Sequence, residues 1–312
     1  MRMTYTDLKT DFLENTGNPG STDTTLVAFF DRHLGPKYQL ILSESTNHQT
    51  QKSQTASTVA DQQYYHYPPG VVDLENARIA SGSQTFPMDV VSSTARWNWL
   101  NSLTYSGSIP EFIFPRRDDF GVWPIPSGAN TITFDYHYRD RNLTTADYTA
   151  GTVAVTLNST TITGTDTTWT AAMVGRWFLA TTARHGYEYR IAAFNSTTSL
   201  TLESVYEGDT ENGLSYRIGE SPEIPEEGHI LLSQGVTADW YAGPGQDITK
   251  GTWWNNVFWT GDGNNNSRSV EDTNGGLLGL KKRYAQRANS RVIRRNRNQY
   301  SKNNERWSMT LS

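Results

Sequence analysis

Residues 151–219 read GTVAVTLNSTTITGTDTTWTAAMVGRWFLATTARHGYEYRIAAFNSTTSLTLESVYEGDTENGLSYRIG. The first run, Val153, Val155 and Leu157, alternates with Thr and Ala, which is the spacing of a half-buried β-strand. Three later runs repeat this period of two: Trp177 and Leu179; Tyr187, Tyr189 and Ile191; Leu200 and Leu202. Glycine and asparagine separate the runs, as turn residues do. The stretch predicts a small β module at 150–220 that acts as a spacer or contact surface, without a catalytic loop.

The residues before residue 51 show helical spacing. Thr4 and Asp7 form a capping-box pattern that opens a first helix, and Asp23 is placed to cap a second. Gly35-Pro36 predicts the end of that helix and the start of a third. We therefore expect three short helices within residues 1–50.

Residues 51–149 change to strand patterns. The clearest strands are Phe112-Ile113-Phe114 and residues 131–138. Ser92 or Ser93 is placed to cap a short helix that holds Trp97 and Leu100. This part predicts an antiparallel β region.

Residues 221–312 return to helical spacing. Pro225 predicts the start of a helix that carries Leu231, Leu232, Val236 and Trp240. A last helix is predicted from about Gly276 to Tyr300, with two stripes at helical spacing. The apolar stripe holds Leu277, Leu280, Tyr284, Ala288 and Val292, and the basic stripe holds Arg283, Arg287, Arg291 and Arg294 or Arg295.

Together these patterns predict an α+β chain. A helical platform is built from the N- and C-terminal segments, beside an antiparallel β region and an inserted small β-barrel or sandwich module. The predicted domains are 1–50, 51–149, 150–220 and 221–312, with 1–149 and 221–312 grouped as one domain.

The charges of the 312-residue chain are unevenly distributed. Between Lys281 and Arg306, here called the basic segment, ten Lys or Arg and one acid give a charge of +9. The remaining residues, here called the acidic body, hold 17 basic and 31 acidic side chains, a charge of −14. This asymmetry indicates that the two parts meet different partners. Ten Trp and sixteen Tyr suit subunit contacts, and the absence of Cys excludes disulfides and thiolate metal sites.

No pattern of catalytic residues stands out. The six histidines lack the spacing of a helical metal site, and the calcium-loop start at Asp262 lacks the glycine and the bidentate glutamate it needs. Asp118 and Asp119 with Trp123 are a weak candidate for a glycosidase site, since adjacent carboxylates rarely face one bond. No apolar run is long enough to span a bilayer. We therefore expect no enzyme, no cofactor, no metal and no membrane partner.

The basic segment has two interpretations. It is either a solubilising tail or an interaction arm, directed at phosphates or at an acidic groove of a partner subunit. The apolar stripe beside the arginines favours protein contact. The predicted partner-binding residues are accordingly Leu277, Leu280, Arg283, Tyr284, Arg287, Arg291, Val292, Arg294 and Arg295.

The order of segments resembles that of tailed-bacteriophage head-to-tail adaptor proteins, also called neck, collar or connector proteins. The resemblance covers most of the chain and is carried by Thr4-Tyr-Thr-Asp-Leu8, Phe112-Ile-Phe114, Gly121-Val-Trp-Pro124, residues 131–138, the β module with Trp169-Thr-Ala-Ala-Met-Val-Gly-Arg-Trp177, and Pro222-Glu-Ile-Pro-Glu-Glu227.

The resemblance implies a structural protein of the virion neck, assembled in the host cytoplasm. It implies a ring of about twelve copies, with a portal protein on one side, a tail or nozzle protein on the other, and viral DNA passing close by. Two alternatives remain open: another virion part, such as a capsid decoration or tail component, and a carbohydrate-binding or tail-fibre-associated module.

Overall fold

The computed structural model describes residues 2–45, 51–68, 70–103, 107, 109–262 and 275–283. Within these ranges the chain is mixed α and β, with six helices and two curled sheets. The helices are α1 (Tyr5–Asn15), α2 (Thr24–Ser45), α3 (Thr94–Ser102), α4 (His229–Ala242), α5 (Ile248–Thr260) and α6 (276–283). The chain divides into a first unit, Met1–Ser45 with Asn142–Ser312, and a second unit, Thr46–Arg141. The domain boundaries given above stay a prediction.

The second unit contains a seven-stranded sheet. Its strands are β1 (Gln51–Ser57), β2 (Tyr64–His66), β3 (Val71–Ser81), β4 (Gln84–Val90), β5 (Phe112–Pro115), β6 (Asp119–Trp123) and β7 (Thr131–Tyr138). They are ordered β1-β7-β3-β4-β5-β6-β2, and neighbours are antiparallel except for β4 and β5. On β7 every second side chain is buried, from Ile132 to Tyr138, so the strand predicted there is confirmed.

Helix α3 packs within the second unit as the sequence predicts. The Ser93 hydroxyl accepts a hydrogen bond from the backbone N–H of Arg96, which caps the helix. Trp97 and Leu100 are both buried, and the Trp97 ring stacks on Phe114 at 5.0 Å.

The first unit contains the second sheet, which surrounds its own apolar core. Its strands are β8 (Thr152–Val155), β9 (Thr161–Thr165), β10 (Trp177–Ala180), β11 (Tyr189–Ser196), β12 (Ser199–Leu202), β13 (Glu211–Leu214) and β14 (Tyr216–Gly219). The order is β13-β8-β9-β12-β11-β10-β14. Because β13 and β14 are consecutive in sequence but pair at opposite ends of the order, the sheet curls back on itself.

Three side chains of this sheet depart from the predicted alternation. Leu157 lies beyond the end of β8 and Tyr187 precedes β11, and both are exposed. On β10 the side chain in the core is Phe178, whereas Trp177 faces outward and is only partly buried. Leu157 and Tyr187 lie past the residues that pair, where no neighbouring strand holds the side chain on the core face. Trp177 does pair, with Arg190 and Gly219, but it lies on the face opposite to Phe178.

The helices of the first unit share one apolar core. It combines Leu8 and Phe12 of α1 with side chains of α2, α4, α5 and α6. The Thr4–Asp7 capping box is present at the start of α1, as predicted, and the Asp23 carboxylate accepts from the Thr25 N–H before α2.

The prediction of a third N-terminal helix at Pro36 is wrong, because α2 continues through Pro36 to Ser45. A proline inside a helix costs about 3 kcal/mol. The side chains beyond it offset this cost, since Tyr38 and Ile41 are fully buried and each contributes about 1.5–3 kcal/mol. Packing of the far half of α2 therefore outweighs the local penalty.

Candidate functional site

The described part of the predicted C-terminal helix is α6, which begins beside the end of α5. Gly276 has a φ of +57°, and a Cβ at this position would lie 2.6 Å from the backbone nitrogen of Gly261. Gly261, with a φ of +77°, ends α5 in the left-handed conformation. The two backbones are thus too close for a side chain at Gly276.

The predicted apolar stripe of this helix packs inside its own chain where the structure describes it. Leu277 and Leu280 are 1% and 0% exposed and belong to the core that α1, α2 and α4 form. A methyl carbon of Leu280 lies 3.0 Å from the position of a Cβ at Gly228, at the start of α4. These two leucines hold α6 against the first unit.

The first residue of the predicted basic stripe also has a partner in the chain. The Arg283 Nη2 lies 3.4 Å from the Glu227 carboxylate, which precedes α4. Tyr284, Arg287, Arg291, Val292, Arg294 and Arg295 lie outside the described residues. Leu277, Leu280 and Arg283, the described members of the predicted partner-binding set, therefore anchor α6 to its own chain. The role of the set in partner binding stays a prediction.

A second site, which the sequence did not predict, surrounds residues 2–7. This N-terminal segment joins the β module to the helices. The Arg2 guanidinium lies 3.8 Å from the centroid of the Trp177 ring, and the Arg2 N–H donates to Glu188 at 3.2 Å. On the helical side, the Met3 carbonyl accepts from the Ser221 hydroxyl at 3.0 Å. The partly exposed Trp177 thus has a cation as its partner.

Charged side chains reinforce this junction. Arg217, on β14, donates from Nη1 to both carboxylate oxygens of Asp7, at 3.0 and 2.8 Å, and its Nη2 lies 3.5 Å from Glu188. Asp147 accepts from the Thr4 hydroxyl at 2.8 Å. Burial raises the pKa of Asp147 and of Glu188, while Arg217 acts in the opposite direction. One guanidinium therefore faces the three carboxylates of Asp7, Asp147 and Glu188, and its removal would take this cation away from all of them.

His229 completes the junction from the helical side. Its side chain is fully buried; Nδ1 accepts from the Met3 N–H and Nε2 donates to the Ile224 carbonyl, both at 3.0 Å. Burial lowers the pKa of His229 to about 4. The neutral ring is the form that fits, because a proton on Nδ1 would face the Met3 N–H. No sequence pattern could have revealed this contact, since the two residues are 226 positions apart.

The residues considered for catalysis do not converge. Trp123 is only 8% exposed and packs on Phe112, so it cannot stack on a sugar. Asp118 and Asp119 lie beside Arg117 and Arg116 respectively. In the described ranges no group of His, Cys, Asp and Glu is arranged to hold a metal ion, and no helix is long and apolar enough to cross a membrane.

Several large apolar side chains remain on the surface. Trp99 on α3 is 59% exposed, and Ile248 and Trp253 on α5 are 77% and 45% exposed. Exposed aromatic side chains of this kind are common at protein interfaces. They are consistent with the predicted subunit contacts, although most aromatic residues of the described chain are in its cores.

Comparison with known families gives the class of protein. Residues 3–159 match the family model of the SU10 adaptor protein, half of the chain. The matched residues run from α1 through the sheet of the second unit to β8. This family is one of phage head-to-tail adaptors, the class that the order of segments implies. The chain belongs to the SU10 adaptor protein family. No curated protein matches it.

Proposed function

We propose that copies of this chain form a ring that joins the portal to a tail or nozzle component and lines the DNA exit channel. The observation that carries the proposal is the family match over residues 3–159. The resemblance implies about twelve copies in the ring. The virion neck is the expected location.

The charge distribution supports the channel. The acidic body carries −14 in each copy. A wall with an excess of carboxylates offers DNA phosphates few cations to pair with, so DNA passes without being held.

The basic segment supplies the contact to a neighbour. Leu277 and Leu280, which the sequence pattern assigns to partner binding, fix the start of the basic segment to its own chain instead. The residues from Tyr284 onward are the ones proposed to contact the adjacent subunit or the portal. The arginines at 287, 291, 294 and 295 pair there with acidic side chains.

The test is a truncation placed after Arg283. It keeps both core leucines, so the chain should fold, whereas a truncation before Leu277 would remove part of the core. We expect the shortened chain to give the far-UV circular dichroism and melting curve of the full chain. It should no longer bind portal rings in sedimentation or electron microscopy.

The matched control keeps the length and removes the charge: Arg287, Arg291, Arg294 and Arg295 are replaced by Gln. We expect this variant to bind portal rings more weakly than the full chain does. Binding of the full chain should also weaken as salt is added, because salt screens the charge pairs. Full joining by the truncated chain would exclude the arm.

The two other classes give different results. A decoration protein would bind DNA-filled heads that lack portals, and a carbohydrate-binding module would change its Trp fluorescence when oligosaccharides are added. We expect neither response.

A further inference from the structure

Strand β1 lies at one edge of the sheet in the second unit, and its side chains are largely exposed on both faces. All seven residues pair with β7 without a register shift. Six of them are exposed, and Ala56 is partly buried. A strand contributes to a core through one face, so an edge strand exposed on both faces is held by its backbone bonds to one neighbour.

The backbone pairing shows which groups of β1 face outward. Just after β1, the Thr58 N–H donates to the Asn130 carbonyl across the same register at 2.8 Å. In an antiparallel pair, successive residues point their N–H and C=O alternately toward the partner strand and away from it. The N–H and C=O groups of Ser53, Thr55 and Ser57 therefore point away from β7. Within the described residues, no group donates to or accepts from them.

Soluble proteins normally protect such edges with prolines, bulges, charges or short strands. The opposite edge of this sheet is protected: β2 has three residues, Pro68 follows it, and the side chain of Gln63 just before it bonds Asn101 of α3. Strand β1 has no proline and no bulge. Its one charge, Lys52, places its ammonium 3.6 Å from the centroid of the Tyr138 ring, over the face of the sheet. The β1 edge is thus open to another strand.

The same chain contains a matching strand sequence. Residues 307–312 read Trp-Ser-Met-Thr-Leu-Ser, in which Trp307, Met309 and Leu311 alternate with small hydroxyl side chains. This is the period of a strand with one apolar face. These residues lie outside the described ranges. They follow residues 284–306, which can span up to about 75 Å when extended.

We propose that residues 307–312 of one copy add as a strand to the β1 edge of a second copy. The connecting residues 284–306 hold seven Lys or Arg and one acid, which favours contact with an acidic body. The occupant is a second copy because the proposed ring places the acidic body of a neighbour beside this segment. Each copy then donates one strand and accepts one, and this head-to-tail arrangement closes into a ring. The inference rests on the proposed function, since it names the contact by which the ring is held.

The apolar side chains of the added strand have a place on the sheet. Residues directly opposite each other share a face, so Ala56 lies on the same face as Ile132 of β7, which is in the core. Lys52 and Gln54 continue this face, and the Gln54 side chain accepts from the Tyr136 hydroxyl at 3.2 Å. In the proposed added strand, Trp307, Met309 and Leu311 would extend this face of the sheet by one strand.

The test measures strand addition directly. A fluorescein-labelled peptide of residues 303–312 is titrated into the chain that ends at Arg306, and binding is followed by fluorescence anisotropy. The control peptide exchanges Ser308 and Met309, which breaks the alternation at unchanged composition. We expect saturable binding of the first peptide and at least about tenfold weaker binding of the control.

The site is tested on β1. Thr55→Pro removes the outward backbone N–H of residue 55 and keeps the backbone hydrogen bonds from β1 to β7. Thr55→Ala keeps the outward N–H as well as those bonds. We expect at least about tenfold weaker binding with proline and unchanged binding with alanine. Ser53→Pro repeats the test in case one proline unfolds the strand, and circular dichroism checks the fold of each variant. Equal binding by folded proline variants, or no binding by the peptide, would overturn the proposal.

Assembly separates this inference from the proposed function. If the chain that ends at Arg306 still forms rings with the portal, the adaptor function stands and strand addition is wrong. If the full chain forms no ring with the portal, the proposed function itself fails, whatever the peptide does.

Discussion

Because Leu280 is fully buried in the core of the first unit, we predict that its side chain holds α6 in place. Leu280→Ala removes three carbon atoms from a side chain that is 0% exposed. At about 0.8 kcal/mol for each buried carbon, the lost transfer free energy is about 2.4 kcal/mol. The cavity left beside Gly228 adds to it, and Leu→Ala changes in cores cost about 2–5 kcal/mol. We therefore expect the free energy of unfolding to fall by about 3 kcal/mol.

The assay is urea unfolding of purified chain, followed by Trp fluorescence and by circular dichroism. The control is Lys281→Ala, because Lys281 is the next residue of the same helix and is exposed. A surface change of this kind costs about 0.5 kcal/mol or less. A trypsin digest should also cut after Lys282 or Arg283 sooner in Leu280→Ala than in the control, and after Lys281 sooner than in the unchanged chain.

Equal unfolding midpoints for the two variants would refute the reasoning. That result would mean that α6 does not pack on the first unit, and that its leucines are free for a partner as the sequence alone predicts. A large loss for Leu280→Ala only in the presence of portal would have the same meaning.

Three further predictions concern the junctions of the first unit. Arg217→Gln should lower the free energy of unfolding by about 3 kcal/mol, because it removes the cation that pairs with the partly buried Asp7 and Glu188; urea unfolding at pH 7 measures this, and a loss below about 0.5 kcal/mol would contradict it. The pKa of His229 is about 4 in the folded chain, against 6.5 for an ordinary histidine. Its neutral form therefore contributes to the free energy of unfolding above pH 6.5, and this contribution is lost as the pH falls. Between pH 8 and 5 we expect a loss of about 2 kcal/mol, which His229→Asn should reduce; an unchanged pH profile would be contrary evidence. Gly276→Ala should destabilise the start of α6, because the φ of +57° and the 2.6 Å approach to Gly261 leave no room for a Cβ; hydrogen exchange of residues 276–283 no faster than in the unchanged chain would disagree.

Local signals predicted the elements whose ends are set locally. The Thr4–Asp7 capping box, the Ser93 cap and the alternation along β7 are all found as expected. In each case the determining residues lie within a few positions of the element that they define, so the sequence contains the whole signal.

Elements that depend on distant packing were missed. Pro36 reads locally as a helix start, and only the burial of Tyr38 and Ile41 shows why α2 continues. Helix α5 was not predicted, because Phe258 is the one large side chain that it buries fully. Asp247, which caps α5, and Gly261, which ends it, were the signals that could have found it.

The candidate site was predictable only in part. The stripe of Leu277 and Leu280 correctly indicates a helix with an apolar face. Periodicity gives the face of a helix but not the surface that covers it, and here that surface belongs to the same chain. The Arg2–Trp177 and Met3–His229 contacts join residues far apart in sequence, so no local pattern reports them.

The central claim is that the chain works by assembly with copies of itself and with the portal. Electron microscopy of the purified chain mixed with isolated portal rings tests this most directly. We expect a second ring, formed by this chain, stacked on one end of each portal ring. Bare portal rings beside a chain that stays monomeric at every concentration would contradict it.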